Sequence, residues 1–134
     1  MDKSMAEPNY LTLDPKTARA RLSSDLVMAG NLGFVSGVLP IDLANDRATL
    51  AEFVEDQALK VLANLEAILA PHGMTRGNVV SVRINLVDFR RFHERVDEAY
   101  AGFFAPGRLP TRSVVGVSHL PRGALVAMDF VVAA

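Results

Sequence analysis

The sequence of 134 residues contains no cysteine and no tryptophan, and only 7% of its residues are aromatic. Without cysteine the chain has no disulfide, no thiolate nucleophile and no cysteine-ligated zinc or iron–sulfur cluster. An excess of one charge is also missing, because 14 basic residues stand against 15 acidic ones and give a formal net charge of −1. This balance offers no electrostatic argument for a nucleic acid or an anionic membrane as partner.

Long apolar runs are absent from the sequence as well. No run approaches the roughly 20 residues of a membrane-spanning helix, and the first ten residues, MDKSMAEPNY, lack the apolar core of a signal peptide. We therefore expect a cytoplasmic protein without a membrane partner. Half of the residues are hydrophobic and 22% are charged, which is typical of a globular domain and not of a disordered chain.

The length suits a single domain with a core of its own. Residues 1–9 are polar and include Pro8, so we predict a flexible N-terminus over residues 1–9 and one domain over residues 10–134. The mean hydropathy of +0.21 is high for a small monomer.

Apolar patterning predicts six strands and two helices in the order β-β-β-α-β-α-β-β. Alternation over residues 79–87 is typical of a strand, and helical spacing of apolar residues after Thr49 indicates an amphipathic helix. Thr49 and Glu52 fit a capping box for this helix, and Asp88 is predicted to cap the second one. The six strands are predicted near residues 10–13, 26–28, 32–39, 79–87, 112–118 and 125–132.

Two helices cover only one face of such a sheet. The other face is predicted to carry Val79, Val87, Leu125, Ala127, Asp129 and Val131. It is too apolar to be left in water, and the chain has no further element to cover it. A closed homo-oligomer that buries this face against its copies is the simplest arrangement.

The titratable residues give few signals for chemistry. His72, His93 and His119 lie far apart in no metal-ligand spacing, so we predict no metal site. The arginines of the second helix alternate with glutamates, which favours a solvated helix face over a nucleic-acid patch.

Arg112 is the main candidate for a binding residue. It follows Leu109-Pro110-Thr111 at the start of a predicted strand, and an arginine in such a position can hold a carboxylate with two parallel hydrogen bonds. The alternative is a structural ion pair with Asp129 or Asp97. Spacing along the chain leaves both interpretations open.

Five segments of the chain follow the pattern of one known family. They are VSGVLP (35–40), VEDQALKVLANLEAILAPHGM (54–74), VVSVRINLVDF (79–89), VDEAYAGFF (96–104) and LPTRSVVGVSHLPRGALVAMDFVVA (109–133). Together they closely resemble the Rid family, also known as the YjgF family and, in older usage, as endoribonuclease L-PSP. The resemblance covers about residues 24–134, and its most specific part is PTRS with the following LPRGALV.

The resemblance implies a fold and an activity. The expected fold is α+β and chorismate-mutase-like, with a mixed six-stranded sheet, two helices on one face, and a homotrimer whose clefts lie between subunits. The expected reaction is hydrolysis of reactive enamines and imines, such as 2-aminoacrylate, to a 2-oxo acid and ammonia without a cofactor. In that chemistry an arginine holds the substrate carboxylate and a glutamate positions or activates water.

Several family positions are retained in this sequence. The carboxylate-binding arginine corresponds to Arg112, followed by Ser113, and the Ser-Gly pair of the family corresponds to Ser36 and Gly37. The resemblance therefore implies that these residues form the substrate-binding part of the site, with a small carboxylate as ligand.

Other positions depart from the family pattern. The residue that is usually asparagine is Asp97, the one that is often cysteine is Val114, and the usual glutamate of the last strand is Ala127. A tyrosine that is common in the family would fall near Ser23. Val114 and Ala127 are still expected to line the cleft, but the usual acid–base group is missing.

We therefore hypothesise that Arg112 binds a small carboxylated imine and that Asp129, Asp97 or bound water transfers the proton. Asp129 lies two residues beyond Ala127, on the same face of the strand. The alternative is a regulator of the same fold that binds 2-oxo acids or similar metabolites without catalysis, which the loss of glutamate at Ala127 favours. RNA cleavage is disfavoured by the net charge and by the lack of a histidine or lysine beside Arg112.

Overall fold

The computed structural model describes residues 7–134, which form one six-stranded sheet and two α-helices. In chain order the elements are β1 (Asn9–Leu11), β2 (Leu26–Ala29), β3 (Leu32–Val38), α1 (Val54–Leu69), β4 (Val79–Val87), α2 (Phe89–Tyr100), β5 (Thr111–Val117) and β6 (Val126–Ala133). The predicted order of elements is confirmed. Residues 1–6 of the predicted flexible N-terminus lie outside the described residues, and Asn9 pairs with Met28 in β1.

The strands are arranged in the order β1-β2-β3-β6-β4-β5. β4 and β5 run parallel, because α2 connects them across the sheet, and the other neighbours are antiparallel. The sheet is therefore mixed, as predicted, and β5 is an edge strand. The hairpin between β2 and β3 turns at Gly30 with a φ of 63°, which glycine adopts without strain.

The core lies between the sheet and the two helices. Alternate residues of β6 point into it and are at most 2% exposed, namely Val126, Met128, Phe130 and Val132. They meet α1 residues such as Leu62 and Leu65, which are also almost completely buried. Burying side chains of this size contributes about 1.5–3 kcal/mol each, so this layer stabilises the sheet that carries the open face.

Two buried polar side chains of α1 fix the chain around the core. Asn64 donates hydrogen bonds to the carbonyl oxygens of Leu39 and Ile41, at 2.9 and 2.8 Å. Gln57 accepts one from the backbone N–H of Leu125 at 2.8 Å. These bonds satisfy main-chain groups that would otherwise be buried without partners, and they hold the segments that follow β3 and precede β6.

Both predicted helix caps are wrong. α1 begins at Val54, after Phe53 in an extended conformation, and neither Thr49 nor Glu52 caps it. The Gln57 side chain instead donates to the carbonyl oxygen of Ala51, which ties the segment before the helix to its first turn. Asp88 precedes α2 with a left-handed φ of 53° and makes no side-chain cap.

The second helix is also shorter than its apolar pattern suggested. α2 ends at Tyr100, whereas the apolar residues that predicted it continue to Phe103 and Phe104. Ala101 leaves the helical region and Gly102 follows with a φ of 83°, so the two phenylalanines pack from a turn.

The composition of the open sheet face differs from the prediction at two residues. Pairing between β4 and β6 shifts between Val79 and Ser81, so Val80 is an extra residue. Such a bulge changes which side chains face the core. Val79 therefore belongs to the core and is 5% exposed, whereas Val80 is 42% exposed. Leu125 precedes β6 and also packs against the core.

The rest of the open face matches the alternation of the sequence. Ala127, Asp129 and Val131 alternate with the core residues of β6, and Phe34 and Val115 join them from β3 and β5. Phe34 is 45% exposed and Val115 is 40% exposed. No element among residues 7–134 covers this face, so the homo-oligomer that would bury it stays a prediction.

Candidate functional site

Arg112 lies on the helix side of the edge strand β5. It is in register with Val82 of β4, whose side chain points into the core. Its guanidinium forms an ion pair with Asp97 of α2 and lies over the ring of Tyr100, 4.8 Å from the ring centroid. Asp97 and Tyr100 are three residues apart and so share one side of the helix. The sequence left Asp97 and Asp129 open as ion-pair partners of Arg112, and in the structure the partner is Asp97.

The Arg112 guanidinium keeps most of its donors for other ligands. Its side chain is 31% exposed and that of Asp97 is 50% exposed. Of the five N–H groups of a guanidinium, only one at Nη2 has an acceptor within residues 7–134. The ring of Tyr100 and the carboxylate of Asp97 both hold the guanidinium from α2.

Tyr100 supplies the apolar floor for this arginine. Burial raises the pKa of the Tyr100 phenol above its ordinary value, and the positive charge of Arg112 opposes part of this rise. The phenol is therefore neutral at pH 7. Its hydroxyl is buried without a hydrogen-bond partner among the described residues.

Ser36 and Gly37 form a bulge in β3 that Asp129 holds in place. Val35 pairs with Phe130 and Val38 with Met128, so both residues stand opposite Asp129 alone. The Asp129 carboxylate accepts hydrogen bonds from the Gly37 N–H at 2.6 Å and the Ser36 hydroxyl at 3.2 Å, both at Oδ1. Gly37 has a φ of 66°, a conformation that glycine tolerates and other residues rarely adopt.

The second oxygen of Asp129 is occupied as well. The amide of Asn85 on β4 donates to Oδ2 at 3.2 Å. A carboxylate that accepts three hydrogen bonds from two neighbouring strands ties those strands together. These hydrogen bonds give Asp129 a structural role. From the sequence, such a role was only the alternative to proton transfer by this carboxylate.

The remaining predicted residues are divided between the two faces. Ala127 shares the open face with Asp129, stands opposite Asn85 and is 3% exposed. Ser113 stands opposite Arg83 on the same face, whereas Val114 stands opposite Ile84 and packs against the core.

One chain therefore does not bring the predicted site together. Arg112 and Asp97 lie on the helix face at the β5 edge, while Ser36, Gly37 and Asp129 lie around β3 and β6 on the open face. β4 separates β5 from β6, which places these strands about 10 Å apart. The two groups are half-sites, which we call the arginine half-site and the bulge half-site.

Some residues at these half-sites were not singled out from the sequence. Arg83 lines an open cleft of about 300 Å³ together with Phe34, Ser36 and Asp129. The alternation of β4 already placed Arg83 and Asn85 on the open face. Their position beside Asp129 depends on the register between β4 and β6, which no short-range pattern reports.

A second cavity, of about 350 Å³, adjoins the bulge half-site. Ser36 and Gly37 form part of its wall, and Ser23 also lines it. Val35, Val38, Ile41 and Ile68 contribute apolar side chains to its lining. We call this space the side cavity.

Metal ligation and membrane insertion find no support among residues 7–134. No group of three or more histidine, aspartate or glutamate side chains is close enough to hold a metal ion there. No helix in that range is long and apolar enough to cross a membrane. His93 stacks on the ring of Phe89, with centroids 5.0 Å apart.

A family model described as "Endoribonuclease L-PSP" matches residues 13–134. The chain belongs to this family, the Rid family. The resemblance found in the sequence is thereby confirmed over almost the whole domain.

Curated relatives of this Rid protein come from several organisms. The protein DfrA of Myxococcus xanthus is 41% identical over 103 residues, which cover 77% of this chain and 76% of the relative. A protein of Dermatophagoides farinae named 2-iminobutanoate/2-iminopropanoate deaminase is 28% identical over 109 residues, covering 81% and 83%.

Solved structures share the fold of this Rid protein. The Rid protein YyfA of Yersinia pestis, of unknown function, superposes with a TM-score of 0.85 at 25% identity and covers 96% of this chain and 100% of its own. The E. coli protein TdcF with bound serine gives a TM-score of 0.74 at 25% identity, covering 83% and 87%. The α+β fold predicted for the chain is therefore that of its structural relatives.

Proposed function

We propose that this Rid protein is an enamine/imine deaminase, which hydrolyses a small carboxylated imine similar to 2-aminoacrylate in the cytoplasm without a cofactor. The observation that carries the proposal is Arg112, a partly exposed guanidinium that Asp97 and Tyr100 orient from α2. A planar group with free parallel donors is suited to a carboxylate.

The reaction requires little beyond positioning. The oxygen of a water molecule adds to the imine carbon, a proton moves to the nitrogen, and the carbon–nitrogen bond then breaks to give a 2-oxo acid and ammonia. Because an imine carbon is already electrophilic, fixing the substrate beside one proton-transferring group suffices. Asp97, Asp129 or bound water fills that role, and of the two carboxylates Asp97 lies beside the arginine.

We further propose that the site forms between the subunits of a homotrimer. The arginine half-site and the bulge half-site lie on opposite faces in one chain, so a single chain offers a ligand only one of them. The exposed Phe34 and Val115 give the open face an apolar surface that a closed ring of copies would bury. In such a ring, the β5 edge of one copy meets the Ser36–Gly37 bulge of the next.

The relatives support a small amino-acid-like ligand. The Dermatophagoides farinae protein carries the name of an iminobutanoate and iminopropanoate deaminase, and the E. coli protein TdcF was solved with serine. Both ligand types bear a carboxylate beside a nitrogen-bearing carbon. The guanidinium of Arg112 is suited to bind such a carboxylate.

The alanine at position 127, where the family pattern has a glutamate, favours a second candidate function. No acid occupies this position of the open face, and the nearby Asp129 already accepts three hydrogen bonds. The second candidate is therefore a regulator that binds 2-oxo acids without converting them. It needs the same arginine and the same trimer but no proton transfer.

One assay separates the two functions. An amino-acid oxidase generates 2-iminobutanoate, the protein is added, and the loss of imine is followed against the uncatalysed rate. Hydrolysis above that rate supports the deaminase. No hydrolysis, combined with calorimetric binding of 2-oxobutanoate, supports the regulator, and absence of both results contradicts Arg112 as a carboxylate anchor.

Restoring an acid at position 127 is expected to raise activity. Ala127→Glu places a carboxylate on the open face beside Asn85 and next to the bulge, and a positioned acid–base group is worth about 100-fold or more in favourable cases. We expect kcat for 2-iminobutanoate to rise at least about tenfold. Ala127→Gln is the matched control and should not show the gain; equal rates in both variants would contradict a cleft at this position.

Removing the charge of Asp97 is expected to strengthen carboxylate binding. In Asp97→Asn the guanidinium no longer shares its charge with a neighbouring carboxylate, and a half-exposed pair of this kind is worth up to about 1 kcal/mol. Calorimetry with 2-oxobutanoate should show a Kd about two- to fivefold lower. Glu98→Gln, on the next exposed residue, is the matched control.

The same variant tests Asp97 as the proton-transferring group. If Asp97 transfers the proton, kcat falls in Asp97→Asn even though binding tightens. If it only neutralises Arg112, kcat is preserved. Weaker binding in this variant would contradict the proposed position of the substrate carboxylate.

A further inference from the structure

We infer that the side cavity receives an apolar substrate side chain, so that the preferred substrates are 2-imino acids of about the size of the leucine or methionine imine. This inference rests on the proposed function and names the substrate class of the same site. It follows from the volume of the cavity, its lining and its position beside the Ser36–Gly37 bulge.

The side cavity is too large for the smallest imines. Its volume is about 350 Å³, and a group of the size of a water molecule takes up about 30 Å³. The cavity therefore has room for on the order of ten such groups. 2-Aminoacrylate has a single carbon beyond its imine carbon and would leave most of this space unfilled.

Buried apolar residues form one part of the wall of the side cavity. Val35, Val38, Ile41 and Ile68 line it and are between 1% and 5% exposed. The main-chain carbonyl oxygens of Leu39 and Ile41 are turned to the amide of Asn64 and are thus satisfied by the protein. This part of the wall therefore favours a hydrocarbon side chain over a polar one.

Three of the five charged residues of the wall, Arg19, Asp25 and Arg122, are engaged by protein groups, and Asp46 and Arg47 are the other two. Arg19 donates through Nε to Asp25 at 3.4 Å and through Nη1 to the carbonyl oxygen of Leu43 at 3.1 Å. Arg122 donates to the carbonyl oxygen of Ala48 at 3.4 Å. Arg19 Nη2 is buried without a partner, so an imine with a second carboxylate is the competing substrate class that the experiment must include.

Small residues near the mouth keep the side cavity open. Ser23 and Ser24 line it, and Ser23 is exposed. Ser23 stands near the position where the family resemblance places a tyrosine. A phenol there would fill part of the space, so the serine widens the cavity in this chain.

The side cavity is also in the right place for a substrate side chain. Ser36 lines both this cavity and the open cleft with Asp129, and Gly37 lines the cavity as well. A Cβ at Gly37 would meet nothing within 4 Å, so the chain leaves free space at this point. A substrate held against the bulge by its reacting end would therefore direct its side chain into the cavity.

The first test compares imines of different size on the unmodified protein. Amino-acid oxidases generate the imines of alanine, leucine, methionine and glutamate, and kcat/KM is measured for each. We expect the leucine and methionine imines to exceed the alanine imine by at least about tenfold, because each buried methylene group is worth roughly tenfold or more. A preference for the alanine or the glutamate imine would overturn the inference.

The second test fills the cavity. Ser23→Tyr should lower kcat/KM for the leucine imine at least about tenfold and leave the alanine imine within about twofold. Leu22→Tyr puts the same ring on the neighbouring residue, which is 91% exposed and does not line the cavity, and should change neither. An equal loss for both imines in Ser23→Tyr, with an unchanged melting temperature, would contradict a side-chain pocket.

A binding measurement separates this inference from the proposed function. Calorimetry compares 4-methyl-2-oxopentanoate with pyruvate on the unmodified protein and on Ser23→Tyr. If no imine is hydrolysed, the proposed deaminase fails, but tighter binding of the larger 2-oxo acid that is lost in Ser23→Tyr still supports the side cavity. If the alanine imine is hydrolysed and the two 2-oxo acids bind equally, the deaminase stands and the side-cavity inference fails.

Discussion

Replacing Arg112 with alanine is expected to reduce kcat/KM for 2-iminobutanoate at least about 100-fold, because two charge-assisted hydrogen bonds to the substrate carboxylate are lost together. The loss should appear mainly as weaker binding, and calorimetry with 2-oxobutanoate should give no measurable heat. Asp97 makes the effect larger, since its carboxylate stays beside the vacated position and repels the substrate.

Two further variants separate charge from geometry at this position. Arg112→Lys keeps the charge but cannot form a fork of parallel bonds, so we expect it to recover only part of the binding. Arg108→Ala removes an exposed arginine from the preceding turn and should have no effect on either measurement. Full activity in Arg112→Ala would remove the single observation on which the deaminase proposal stands.

The choice of partner for Arg112 illustrates what spacing along the chain cannot report. Asp97 and Asp129 were equal candidates from the sequence. Because Arg112 pairs in register with Val82, a core residue, its side chain faces the helices and meets Asp97. Asp129 alternates to the other face of β6. Which carboxylate pairs with Arg112 thus depends on the parallel register of β4 and β5, and tertiary packing determines that register.

The layout of the fold was more accessible to sequence reasoning than its local details. Period-two and helical patterns gave the order of the elements, because each element buries one side against the same core. The bulge at Val80 was not predicted, because it turns Val79 into the core without interrupting the apolar alternation of the sequence. The cap at Thr49 failed because the side chain of Gln57 binds Ala51 instead.

The division of the site into half-sites has a physical consequence for function. Arg112 stands on an edge strand, and the Ser36–Gly37 bulge stands on the open face of the same sheet. In the proposed homotrimer, a ligand that needs both binds where two copies meet. We expect activity to depend on assembly, so that dilution below the dissociation constant of the assembly reduces the rate per chain.

Asp129→Ala is expected to have the second large effect, and its effect should be structural. The substitution removes the acceptor of the Gly37 N–H, the Ser36 hydroxyl and the Asn85 amide at once. We expect the free energy of unfolding to fall by about 2 kcal/mol, because the three donors are only partly able to turn to water. Thermal unfolding should then occur about 5–10 °C lower.

Asp129→Asn distinguishes this structural role from proton transfer. The amide keeps one oxygen for the Gly37 N–H and the Ser36 hydroxyl, but its NH₂ group faces the Asn85 amide, another donor, so a smaller loss of stability is expected. If Asp129 only holds the bulge, activity follows stability across the two variants, with Glu94→Ala as an exposed control that changes neither. A variant of normal stability whose kcat falls at least about 100-fold would instead identify Asp129 as the group that moves the proton.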